Sequence, residues 1–359
     1  MRNSVYFLAA AIALFTLCSL NAQTELTGEV EGAKYVVHLP AAPTGNLLLL
    51  AHGYRPEGLP LDADIGASHD LFKDLVEEGW AVASTSYRRN GWIMEDAAKD
   101  MINLRQVIAD EGSFEPDHVF LFGNSMGGGV VTWLAEHAPE GFDGGLALGA
   151  YLFEPIDPEG EASTQLADYY SGTPQFPILY LTNVSELEGP SAYLELAKDA
   201  PVPPVLWFVD REGHVNQNEL EQYGGILGLV KWVETGKIRP FNDGTIEMNP
   251  PSTAVLTAES ATGKAVSLVP VYGNFISSFV SADLETLGLQ EGDLFTLTAG
   301  GESVRVLLGS TYNDVEVGEW VAFWDAQGYL LFCRNYKNAV ETLGLSKDDS
   351  IAIHRTEGM

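Results

Sequence analysis

The sequence predicts an α/β fold, a mostly parallel sheet with helices on both faces, followed by a small β-rich unit. Three observations carry this. Continuous apolar runs at residues 47–51, 119–122, 178–181 and 205–209 are of the kind buried on both faces of a parallel sheet. Helix-like stretches alternate with them, as a layered α/β unit requires. Beyond residue 240 the texture changes: residues 241–264 are rich in Pro, Thr, Ser and Asn, and from residue 265 short apolar runs alternate with turns.

In chain order, the first residues read as a secretory signal. Arg2 is the positive start, residues 5–20 the apolar core, and Leu20-Asn21-Ala22 a cleavage site ahead of Gln23. The expectation is a secreted or periplasmic protein with no membrane association once the signal is removed. Residues 35–39 read as a strand closed by Pro40. Residues 47–51, a helix-like stretch 65–78 and residues 80–84 make a βαβ unit. Residues 92–111 form a helix candidate with apolar positions at Ala97, Met101, Leu104 and Ile108. The run 119–122 leads through a glycine-rich turn into a helix-like segment, 130–137. Residues 146–149 are short and apolar, and residues 153–175 irregular, acidic and aromatic. Strands at 178–181 and 205–209 and a helix over 216–235 close the unit. The expected division is a signal peptide 1–22, a first domain 23–240, a linker 241–263 and a β-rich domain 264–359.

The 359 residues are long enough for two domains, and 46% hydrophobic residues can bury a sizeable core. With 50 acidic and 19 basic residues the net charge is −31. Such a surface repels nucleic acid and anionic lipid, so neither is expected as a partner. After removal of the signal only Cys333 remains, which excludes an intramolecular disulfide.

The chemistry concentrates at Gly123-Asn124-Ser125-Met126-Gly127. A glycine, any residue, serine, any residue, glycine, set between a buried-type strand and a helix, is the pattern that projects a nucleophilic serine from a strained turn. Its glycines let strand and helix pass close to the turn, and the N–H of Met126 is placed to bind an oxyanion. A serine hydroxyl needs a base, and the base an orienting acid. His214, in Val209-Asp210-Arg211-Glu212-Gly213-His214, follows the last strand and stands at the same sheet edge as Ser125. The acid is expected after the strand 178–181. Glu186 is the first choice there, with Glu188 and Asp210 as alternatives. His52-Gly53-Tyr54 ends an earlier strand at this edge, so the Tyr54 N–H is the second oxyanion donor, and His52 bonds loop backbone. The Tyr54 and Met126 side chains line the acyl pocket or belong to the core. Arg88 and Arg89 bind a substrate carboxylate or form salt bridges. No metal or cofactor is expected.

By His52-Gly53-Tyr54, the stretch 123–129, the acid loop and Arg211-Glu212-Gly213-His214, in that order, residues 34–237 resemble the α/β-hydrolase superfamily. The wording around Ser125 is similar to that of secreted esterases, polyester hydrolases and prolyl-oligopeptidase-like enzymes. The resemblance implies a serine hydrolase, a carboxylesterase acting on a small or polymeric ester, or else a peptidase. The third alternative is a nucleoside- or partner-binding protein with a dormant hydrolase domain. Residues 264–356 resemble the C-terminal domain of the S-adenosylmethionine hydroxide adenosyltransferases. The residues carrying this are Tyr272-Gly273-Asn274, Gly292-Asp293, Thr311-Tyr312-Asn313-Asp314-Val315, Gly318-Glu319, Arg334-Asn335-Tyr336-Lys337-Asn338-Ala339 and Leu343-Gly344-Leu345. This resemblance implies a small β-barrel that, in that family, helps bind an adenosyl group at sites formed between subunits, and so a route to homo-oligomers. The family's catalytic domain does not match here, and Pro270 stands where an acidic residue usually precedes the Tyr-Gly-Asn motif. Cleavage of S-adenosylmethionine is therefore not expected.

Overall fold

The computed structural model describes residues 23–65, 70–110, 114–153, 169–269 and 272–355. The signal-like segment 1–22, most of the irregular stretch 153–175, part of the predicted helix start 65–69, and Pro270 lie outside the described residues.

The first strands are β1 (Thr24–Val30) and β2 (Ala33–Leu39), an antiparallel pair. Glu31 and Gly32 join them, both with positive φ (49° and 87°), which suits the twist of a two-residue hairpin turn. Next come β3 (Asn46–Ala51), α1 (Asp70–Glu77), β4 (Ala81–Thr85), α2 (Met94–Asp110), β5 (His118–Asn124), α3 (Met126–His137), β6 (Gly144–Leu148) and β7 (Ile178–Asn183). The series ends with α4 (Glu188–Leu196), β8 (Val205–Val209), α5 (Glu219–Thr235) and β9 (Phe241–Asp243). Among the described residues these nine strands make one sheet, in the order β1-β2-β4-β3-β5-β6-β7-β8-β9. From β4 to β9 neighbouring strands run parallel; β2 is antiparallel to both β1 and β4.

The continuous apolar runs have a direct cause. In β3, Leu47, Leu49 and Ala51 enter the core beneath α2 and α3, while Leu48 and Leu50 enter the core on the opposite face, with Leu71, Leu75, Ile226 and Leu229 of α1 and α5. Both faces are covered, so every position is apolar.

The second unit comprises β10 (Val255–Leu256), β11 (Ser260–Val269), β12 (Asn274–Ser277), α6 (Ser281–Thr286), β13 (Leu294–Ala299), β14 (Glu302–Leu308), β15 (Trp320–Trp324), β16 (Leu330–Arg334), α7 (Ala339–Leu343) and β17 (Ser350–Arg355). Strands β11-β12-β16-β15-β14-β13-β17 follow one another, and β17 pairs back onto β11, so seven strands close a barrel. Phe275, Phe295 and Phe332 fill it: Phe275 and Phe332 stack at 5.0 Å, and Phe295 meets Phe332 edge-on at 6.1 Å.

The stretch 241–263 holds strand at both ends. Phe241–Asp243 is strand β9, whose residues pair with Leu206–Phe208 of β8, and the barrel begins at Ser260. A three-residue edge strand covers too little apolar surface to leave a periodic trace. No helix among the described residues is long and apolar enough to cross a membrane.

Candidate active site

The carboxyl ends of β3, β5, β7 and β8 converge at one edge of the first sheet. Ser125 stands between β5 and α3 with φ 54° and ψ −117°, a conformation that non-glycine residues rarely hold. Its backbone is over-determined. The N–H donates to the Leu148 carbonyl (2.9 Å), and the carbonyl accepts from Gly128, Gly129 and Tyr151 (2.9, 3.3 and 3.0 Å). The flanking glycines are required by space. A Cβ on Gly123 would lie 2.2 Å from the Gly127 carbonyl oxygen, and one on Gly127 would lie 1.9 Å from the Ala51 carbonyl oxygen.

His214 reaches this serine from the loop after β8. Its Nε2 lies 2.8 Å from Ser125 Oγ, and its Nδ1 is hydrogen-bonded to Glu186 Oε1. A carboxylate only accepts, so Nδ1 carries the proton and Nε2 is free to accept the serine O–H. The other Glu186 oxygen, Oε2, accepts the Val215 N–H (3.1 Å). Among the described residues, no hydrogen bond joins His214 to Glu188 or Asp210. Glu188 begins α4, and Asp210 donates its N–H to Thr245 Oγ1.

Asn183 and Ser185, which the sequence reading did not single out, lace the histidine loop to the end of β7. Asn183 Oδ1 accepts the Asn216 N–H (2.8 Å), and Asn183 Nδ2 donates to the Asn216 carbonyl (3.0 Å). Ser185 Oγ donates to the Gly213 carbonyl and accepts the Gly213 N–H. Arg211 grips the buried Glu221 with both Nη groups (2.9 and 3.0 Å) and donates to the Asn216 carbonyl. Val215 is thereby held at φ 51°, a strained value for a β-branched residue. Asparagines and serines in loops carry no sequence signal of this kind; only the position of Asn183 at a strand end hinted at it.

The loop after β3 lies against the serine. A Cβ on Gly53 would be 3.3 Å from Ser125 Cβ. Among the described residues, neither Tyr54 nor Met126 donates its N–H to a backbone carbonyl. The Met126 side chain is fully buried in the core, whereas the Tyr54 ring is 42% exposed. His52 bonds loop backbone: Nδ1 is 2.6 Å from the Gly53 carbonyl oxygen, Nε2 is 3.2 Å from that of Ser86, and the ring packs on Tyr87. Burial, aided by the nearby Arg55 charge, pushes its pKa down to about 4, so the imidazole is neutral. Arg88 clamps the buried Asp100 through its N–H, Nε and Nη2, and Arg89 pairs with Asp96. Both arginines are thus held in salt bridges. Tyr151, whose N–H donates to the Ser125 carbonyl, carries an aromatic group with Trp92 and Phe153, at centroid distances of 5.4 and 6.3 Å.

Among the described residues, two hydrogen bonds join the barrel to this edge. Tyr272 Oη donates to the Tyr54 carbonyl (3.4 Å), and Asn216 Nδ2 donates to the Trp324 carbonyl (3.3 Å).

Comparison with known families matches the barrel. Residues 265–352 match the family described as the SAM hydroxide adenosyltransferase C-terminal domain. No curated protein matches the chain. Among solved structures, an uncharacterized conserved protein from Thermotoga maritima is 22% identical over 31% of this chain and 41% of its own, with a TM-score of 0.27. A putative dipeptidyl aminopeptidase IV from Bacteroides ovatus is 15% identical over 52% of this chain and 32% of its own, with a TM-score of 0.42. The dienelactone hydrolase from Anabaena variabilis is 14% identical over 61% of this chain and 100% of its own, with a TM-score of 0.44. The chain spans 41% or less of the length of the first two. It joins an open nine-stranded sheet, parallel from β4 to β9, to a closed seven-stranded barrel that, over residues 265–352, resembles the SAM hydroxide adenosyltransferase C-terminal domain.

Proposed function

We propose that the protein is a secreted serine hydrolase that cleaves carboxylic esters through an acyl-enzyme. One observation carries the reading: Ser125 Oγ is 2.8 Å from an imidazole nitrogen whose opposite nitrogen is bonded to a carboxylate. In this reading His214 Nε2 takes the Ser125 proton as Oγ attacks the ester carbonyl. Glu186 fixes the tautomer and balances the imidazolium that forms. The N–H groups of Tyr54 and Met126 bind the oxyanion. On collapse His214 gives its proton to the departing alcohol, leaving the acyl group on Ser125. Water, deprotonated by His214, then releases the acid. Trp92, Tyr151 and Phe153 border the acyl group. The −31 charge favours neutral substrates over nucleic acid, and the signal-like residues 1–22 support export.

The test is labelling by a fluorophosphonate probe, with the modified peptide identified by mass spectrometry, beside turnover of a nitrophenyl ester series and a peptide substrate. Label on Ser125, lost in Ser125→Ala, together with ester turnover, is the expected result. Absence of label on the folded protein would remove the hydrolase reading, and turnover of the peptide alone would make the enzyme a peptidase.

A further inference from the structure

We infer that the barrel forms the leaving-group subsite of the hydrolase, with Tyr272 and Tyr54 as its walls and a neutral aromatic alcohol as its occupant. The inference rests on the hydrolase reading above. It begins with a requirement of the chemistry. His214 must protonate the departing oxygen, so the leaving group lies on the His214 side of Ser125. The barrel meets the first unit on the His214 side. The Trp324 carbonyl accepts from Asn216, two residues beyond His214. Tyr272 Oη donates to the carbonyl of Tyr54, whose neighbour Gly53 packs directly on Ser125. The barrel is therefore tied both to the loop that carries the proposed base and to the loop that carries a proposed oxyanion donor.

What this junction offers a ligand is aromatic surface. Tyr54 and Tyr272 are 42% and 51% exposed although the Tyr272 hydroxyl is tethered to the Tyr54 backbone, so both rings remain open to an occupant beside the junction. Rings held in this way favour a planar partner, stacked or edge-on. The cations at the junction are already engaged. Arg55 donates to the Asp62 carbonyl and pairs with Asp64, and Arg211 is bound by Glu221. An anionic alcohol part would thus meet no uncommitted charge, whereas a neutral aryl group finds complementary faces.

The test uses the full-length protein and two phosphorylating agents that share a diethylphosphoryl group, diethyl fluorophosphate and diethyl 4-nitrophenyl phosphate. In each, Ser125 Oγ bonds to phosphorus, His214 takes the serine proton, and fluoride or nitrophenolate leaves. The readout is the ratio of the two rate constants for labelling Ser125, which cancels any general change in serine reactivity. Tyr272→Ala is expected to lower the aryl-to-fluoride ratio about fivefold, the scale of one aromatic contact. Tyr54→Ala, which keeps the backbone N–H, should lower it similarly, and Tyr272→Phe should restore most of the ratio because the ring is retained. An unchanged ratio in both alanine variants overturns the subsite. Failure of both agents to label the wild-type serine overturns the hydrolase reading itself, and the subsite with it.

Discussion

The two units of this chain solve opposite problems with β-structure. The first builds an open sheet, parallel from β4 to β9 and covered on both faces, whose strand ends release polar loops at one edge. The second closes a mostly antiparallel ring around its own aromatic residues. Their strands differ accordingly. All six residues of β7 are buried, whereas in β13 burial alternates, with Phe295, Leu297 and Ala299 inside. The candidate site lies where strands end rather than where they close. Ser125, Glu186 and His214 follow β5, β7 and β8, in the loops that the sheet releases at that edge. The barrel contributes to that edge by contact.

This division can be broken experimentally, and the largest effect is expected at the sheet edge. Ser125→Ala or His214→Ala should lower ester turnover on the order of 10³-fold or more without unfolding the protein, since nucleophile and base act as a unit. Steady-state kinetics beside circular dichroism checks this, and near-normal rates would return the edge to a structural role. In the barrel the sensitive property is stability. Phe332→Ala opens a cavity between Phe275 and Phe295 and should cost about 3–5 kcal/mol. Urea unfolding followed separately in each unit would show whether the loss stays in the ring; equal loss in the sheet would make the two units one cooperative body.

A smaller effect separates the acids. Glu186→Gln should slow turnover on the order of 10²-fold, because glutamine loses the charge that balances the imidazolium and keeps one acceptor oxygen for the two donors His214 Nδ1–H and Val215 N–H. Glu188→Gln and Asp210→Asn should stay within about threefold, as neither touches His214. A slower Asp210 variant would assign the acid to the last strand instead. The smallest effect is a pH dependence. His52, with its pKa near 4 in the folded protein and an ordinary value of 6.5 unfolded, binds its proton more readily when unfolded. Its contribution to stability is therefore complete above pH 6.5 and fades as pH falls toward 4. Histidine-selective NMR should find the His52 ring neutral at pH 5; a ring protonated there would remove the effect.

The sheet was legible in the sequence for the reason that makes it a sheet. Burial on both faces turns β3, β5, β7 and β8 into unbroken apolar runs. Strands lacking that protection left little trace: β1 is exposed at alternate positions and pairs only at the sheet's margin, and β9 is three residues long. Helix α4 was hidden by Gly189-Pro190, which reads as a loop, although a proline in the first turn of a helix loses no backbone bond. Closure of the barrel joins β11 to β17, far apart in sequence, and no local pattern encodes such a pairing. At the candidate site Ser125, His214 and Glu186 were each readable from strand ends and chain order. The lacing by Asn183, Ser185 and Asn216 was not, since its meaning arises only when two loops meet. The same holds for Tyr272, which sequence reading assigned to a motif of the barrel and which the fold brings to Tyr54.

Closure of the barrel also bears on how the protein behaves at high concentration. Apart from the two-residue β10 laid on β11, the ring has no outer strand among the described residues, so the longer templates for edge pairing lie in the first sheet. There the two outer strands carry their own deterrents. β1 turns Glu25 and Glu29 to solvent, and β9 is too short to recruit a partner and ends in Asp243. In so acidic a chain these carboxylates make both open margins repel a second copy, leaving the molecule's β-structure guarded by geometry in one half and by charge in the other.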